Sequence, residues 1–100
     1  MNMKINKART YVGFASKSRA IKFGVDDICK CKRAELVIVS DSLQESSMKK
    51  ITAFAEKNRK DLLKLSLDDF ENLLDNKYVK AIAILDKNLA IEIKKNLTNL

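Results

Sequence analysis

The stretch Ala34-Glu35-Leu36-Val37-Ile38-Val39-Ser40-Asp41 decides the fold, and Val79-Lys80-Ala81-Ile82-Ala83-Ile84-Leu85 answers it near the other end of the chain. Both carry short apolar runs, rich in β-branched residues and without alternation. Such runs read as strands buried on both faces, as in a parallel or mixed sheet covered by helices. Each exit offers a helix cap, Ser40-Asp41 after the first and Asp86 after the second, so a strand-to-helix unit is implied twice.

The segments between them have helical spacing. Ile5, Ala8, Val12 and Ala15 line one face of a first helix, and a second is expected from Gly24 with Val25, Ile28 and Cys29 inward and Asp26, Asp27, Lys30 and Arg33 largely outward. Met48, Ile51, Phe54 and Ala55 form the stripe of a third. Ser66-Leu67-Asp68-Asp69 resembles a capping box that opens a fourth, with Leu67, Phe70, Leu73 and Leu74 apolar. Leu89, Ala90, Ile93 and Leu97 give a fifth, and shorter strands are expected within Arg19 to Phe23 and Leu62 to Leu65. The order α-β-α-β-α-β-α-β-α, with short connections and no linker or repeat, predicts an α/β fold. We expect one domain over residues 1–100, a three-layer α/β/α sandwich around a small, about four-stranded mixed sheet.

Composition narrows the function classes. The 100 residues contain 46% hydrophobic and 33% charged side chains, enough for a core and against both disorder and membrane embedding. Two Gly and no Pro argue against a turn-dense β-sandwich. There is no His, which removes the commonest general base and metal ligand, and Cys29 and Cys31 alone neither build a disulfide scaffold nor complete a zinc site. On a continuous helix these two cysteines point to nearly opposite sides. The basic N-terminus lacks a continuous apolar stretch, so a cytoplasmic, non-membrane protein without cofactor is expected.

Net charge is +7, and residues 1–33 hold nine basic and two acidic side chains, so the remainder is neutral in sum. A basic region of this kind points to a polyanion, nucleic acid first. The glycine content excludes a P-loop, a dinucleotide fingerprint and a nucleophile elbow. The doublets Asp26-Asp27 and Asp68-Asp69 fall in first helical turns, where carboxylates meet unpaired N–H groups. Neighbouring helical residues diverge by about 100°, so neither doublet makes a converging acid/base pair.

The stretch Lys17-Ser18-Arg19-Ala20-Ile21-Lys22-Phe23-Gly24-Val25-Asp26-Asp27-Ile28-Cys29-Lys30 carries the strongest site signal. A glycine at a strand-to-helix turn permits close approach of a ligand to the backbone. Carboxylates there repel phosphate but accept from the N–H edge of a guanine exposed by non-Watson–Crick geometry, with Lys17, Arg19, Lys22 and Lys30 on flanking phosphates. The purely structural alternative makes Gly24 an N-cap, pairs Asp26 with Lys30 at i,i+4 and leaves the lysines as a solvated face.

With these elements in order, the sequence resembles the kink-turn RNA-binding ribosomal-protein superfamily of the L-seven-Ae type, and most closely its small bacterial YlxQ-like members. The resemblance runs from about Tyr11 to Leu97. It is carried by Gly13-Phe14-Ala15-Ser16-Lys17-Ser18-Arg19, Lys22 to Lys30, Ala34 to Asp41 and Ala81-Ile82-Ala83-Ile84-Leu85-Asp86-Lys87-Asn88-Leu89-Ala90. It implies the same α/β/α sandwich and binding of structured RNA without catalysis, as a ribosomal or other ribonucleoprotein component.

In that family a Gly-x-Asn-Glu pattern reads sheared G·A pairs, helped by a lysine further along the helix. By position Gly24 matches the glycine, Asp26 stands for Asn, Asp27 for Glu, and Lys30 falls at the lysine. A carboxylate accepts but cannot donate as an Asn amide does, and Asp27 reaches one methylene less far than Glu, which bears on strict kink-turn specificity. A second family contact precedes the last strand. Here that loop is Asp75-Asn76-Lys77-Tyr78, where Tyr78 could stack on an unpaired base and Lys77 could meet phosphate, or the loop is solvated with Tyr78 on the sheet edge.

The expected partner is therefore rRNA or another kinked RNA, with the ribosome or translation and transcription factors beside it. The alternative is a protein-interaction module of the same fold that holds an acidic translation or transcription partner. Related domains also precede RNA methyltransferase domains as substrate-binding modules, but this chain has no cofactor motif for that reaction.

Overall fold

The computed structural model describes residues 3–75 and 78–98. Five helices and four strands alternate: α1 (Met3–Lys17), β1 (Ile21–Phe23), α2 (Val25–Cys29), β2 (Leu36–Ser40), α3 (Glu45–Lys57), β3 (Asp61–Leu65), α4 (Leu67–Leu73), β4 (Ala81–Ile84) and α5 (Lys87–Leu97). The sheet has the order β1-β4-β2-β3. β4 is antiparallel to both β1 and β2, while β2 and β3 are parallel, so the sheet is mixed and β1, β2 and β3 all point the same way.

The two apolar runs are the two central strands, and every residue of β2 and β4 is buried. Their alternation appears only between the two layers. Leu36, Ile38, Ile82 and Ile84 join a core with Ile5, Ala8, Val12 and Ala15 of α1, Phe70 and Leu73 of α4, and Ala90, Ile93 and Leu97 of α5. Val37, Val39, Ala81 and Ala83 face the other way, against Ile28 of α2 and Ile51 and Phe54 of α3. The smaller residues of β4 lie on the side of the short helix α2, and the isoleucines on the side covered by three helices. Burying such a side chain contributes roughly 1.5–3 kcal/mol, and strands sandwiched between two cores need apolar residues at every position.

Two caps fall where expected. Ser66 Oγ accepts from the Asp69 N–H at 3.2 Å and Asp86 Oδ1 from the Leu89 N–H at 3.0 Å. The exit from β2 differs. Ser40 and Asp41 do not cap α3, whose N-cap is Gln44 without a side-chain bond. Ser40 is instead the buried last residue of β2, its Oγ accepts from the Ser42 N–H at 3.1 Å, and a turn carries the chain to Glu45. α2 is also shorter than its pattern suggests and ends at Cys29, so Arg33 and Cys31 lie beyond it. Both cysteines are half-buried rather than on opposite faces of a helix.

A candidate nucleic-acid interface

Because β1, β2 and β3 are co-directional, all three end at one rim of the sheet, where β4 begins. Gly24 stands there directly after β1, its N–H donating to the Ala81 carbonyl at 2.9 Å. The next rung of the rim is the Ser40 N–H, which donates to the Lys80 carbonyl at 2.9 Å. The loop from α4 into β4, with Asp75 and Tyr78, therefore reaches the same rim. Tyr78 is 96% exposed; Lys77 lies outside the described residues.

Gly24 has φ 86° and ψ 147°, a region open in practice to glycine alone. A Cβ built there meets nothing within 4 Å, so the glycine answers to backbone conformation and the space above it is open. The turn releases α2 with Asp26 and Asp27 in its first turn, both exposed.

The two carboxylates differ. Asp26 Oδ1 accepts from Lys50 Nζ of α3 at 2.6 Å. That hydrogen bond and charge, with a smaller contribution from Lys30, hold the Asp26 carboxyl below the usual carboxylate range, and Asp26 in turn raises Lys50. The i,i+4 pair with Lys30 does not form; the partner comes from the neighbouring helix instead. Asp27 has no ion-pair partner among the described residues, so its acceptor oxygens face solvent.

One residue before Gly24, Phe23 is 38% exposed and lines an open groove of about 680 Å³ with Arg9, Gly13, Leu74, Asp75 and Tyr78. Arg9 closes one side by hydrogen bonding to the Asn72 carbonyl and the Asp75 carboxylate. The groove offers two exposed aromatic rings beside the Gly24 turn, a lining suited to an unstacked base.

The structure divides the basic residues expected at this site. Lys22 is exposed in β1, two residues before Gly24, and Lys30 is the exposed C-cap of the short helix that follows it. Lys17 and Arg19 precede β1 and so lie at the opposite rim, Arg19 at most about 17 Å from Gly24 at ~3.3 Å per extended residue. Lys50 and Phe23 are not among the site residues expected from sequence. Lys50 is brought to Asp26 only by packing of α3 on α2, whereas an aromatic residue just ahead of the turn glycine was a readable signal for Phe23.

Burial pushes the Cys29 thiol up, away from the reactive thiolate. No group of three or more His, Cys, Asp or Glu residues among the described residues is placed to hold a metal, and no described helix is long and apolar enough to cross a membrane.

No family model matches the chain, and no curated protein does. Among solved structures, the chain is similar to a protein of unknown function from Bacillus halodurans C. The TM-score is 0.80 at 14% identity, over 92% of this chain and 97% of that one. At that identity the likeness shows a shared α/β fold across nearly the whole of both chains.

Proposed function

We propose that this chain binds structured RNA without catalysing a reaction on it, reading base edges at the Gly24 turn. The observation that carries the proposal is the pairing of an open glycine turn with a solvent-facing Asp27 carboxylate. A sheared guanine presents N–H donors, which such a carboxylate accepts, and the absence of a Cβ at Gly24 lets the base approach the backbone. Lys22 and Lys30 flank the turn for phosphates, and the groove beside Phe23 and Tyr78 takes a base that leaves the stack. The resemblance to the L-seven-Ae type favours a kinked RNA, in the ribosome or another ribonucleoprotein. Asp26, already held by Lys50, is the weaker acceptor of the two.

Asp27→Ala tests the role of the carboxylate. Loss of a base-edge contact of this kind costs about 1–3 kcal/mol. The variant should weaken binding to a kink-turn RNA by that amount and leave binding to a fully paired duplex unchanged. A uniform change on both RNAs would remove Asp27 from base reading.

A further inference from the structure

The two rims of the sheet carry opposite charge. Residues 24–27, 41–45, 66–69 and 74–80 belong to the Gly24 rim and contain seven acidic side chains, Lys80 being the basic one among their described residues. Residues 18–20, 31–35, 58–60 and 85–88 connect the elements at the opposite rim and contain six basic side chains against two acidic. Of those two acids, Asp86 is occupied as the N-cap of α5.

Two of these basic residues occupy unusual backbone positions. Arg19 has φ 59° and Arg59 φ 55°, the only non-glycine residues with positive φ among those described. Each closes its helix in the same way. The Arg19 N–H donates to the Ser16 carbonyl and the Ala20 N–H to Ala15; the Arg59 N–H donates to Glu56 and the Lys60 N–H to Ala55. This is the Schellman arrangement, whose left-handed position normally goes to glycine. Arginine there is conformationally strained, and helix termination does not require its side chain.

The register sets the two arginines level. Ile21 pairs with Ile84, Ile84 with Leu36 and Leu36 with Asp61, so these four residues form one row across the sheet. The ends of the row, Ile21 and Asp61, lie about 14 Å apart at ~4.8 Å per strand, and Arg19 and Arg59 each stand two residues before them, closing helices that cover opposite faces of the sheet. Between them the rim carries Lys87, Lys32 and Arg33. All five side chains are exposed, and none forms an ion pair among the described residues.

We propose that this rim, with Arg19 and Arg59 at its two ends, is a second nucleic-acid surface that grips the phosphate backbone of an RNA duplex, remote from the Gly24 turn. The proposal rests on RNA as the ligand but not on base reading at Gly24. Guanidinium groups carried on backbone-constrained residues at the ends of a basic row suit phosphates on a duplex, and guanidinium geometry matches phosphate oxygens in pairs.

The test uses a 20-base-pair, fully Watson–Crick RNA duplex, which offers the Gly24 turn no sheared pair. Arg19→Gly with Arg59→Gly removes both charges and relieves both left-handed residues, so the fold is kept or stabilised. Each lost phosphate contact lowers affinity roughly five- to eightfold at 0.1 M salt and flattens the log–log salt slope by about 0.7–0.9. The double variant should therefore bind the duplex roughly 25- to 60-fold more weakly, with a slope shallower by about 1.4–1.8 and an unfolding temperature no lower than that of the parent. Unchanged affinity and slope would overturn the proposal, as would failure of the parent to bind the duplex, or binding of poly-glutamate in preference to it. Indifference of Asp27→Ala to the kinked target would instead strike the Gly24 reading and leave this result standing.

Discussion

Lys50 Nζ lies 2.6 Å from Asp26 Oδ1, joining the second turn of α3 to the first turn of α2 across 24 residues of sequence. The contact takes one of the two candidate acceptors at the Gly24 turn and leaves Asp27 as the open one.

The pair has a defined pH signature. Asp26 is lowered in the folded protein, so its contribution to stability is complete above the ordinary carboxylate range and is lost as pH falls through the folded value. Lys50 is raised, so its contribution is complete below the ordinary lysine range and is lost as pH rises through the folded value. The stabilised window is the neutral interval between them. Carboxyl-carbon NMR should show Asp26 titrating below an ordinary aspartate in the parent and returning upward in Lys50→Met. An Asp26 titration unmoved by that substitution would break the link. Both groups are exposed, so added salt should narrow the difference.

The two glycines should respond with opposite sign. Gly24 is confined to a backbone region closed to alanine, so Gly24→Ala should destabilise by about 1–3 kcal/mol although its Cβ has room. Gly13 lies inside α1, where a Cβ also has room, and Gly13→Ala should stabilise by about 0.5–1 kcal/mol. Urea unfolding of the two variants checks both, and equal effects of one sign would contradict the backbone account.

Much of the fold was legible because its signals are local. Ile5, Ala8, Val12 and Ala15 recur at helical spacing and are all buried in α1. The unbroken runs of β2 and β4 announced strands covered on both sides, and Ser66 and Asp86 announced the starts of α4 and α5. The site was less legible for physical reasons. β1 is only three residues long, yet it sends Arg19 and Gly24, close neighbours in sequence, to opposite rims. Ser18-Arg19-Ala20 contains no Gly or Asn to mark a left-handed residue. Lys50 meets Asp26 through helix packing that no local pattern encodes. The surplus of positive charge in residues 1–33 is divided by the fold, which leaves Lys22 in β1 and carries Arg19, Lys32 and Arg33 to the rim opposite Gly24.

The central claim, that the Gly24 turn reads base edges, is tested most directly by titrating the protein with a kink-turn RNA and with the same RNA whose G·A pairs are made Watson–Crick, at several salt concentrations. The account predicts tighter binding of the kinked RNA at every concentration, with similar salt slopes for the two, because the phosphate contacts are shared and only the base contacts differ. Equal affinity for both RNAs, with a steep common slope, would reduce the interaction to phosphate attraction and contradict it.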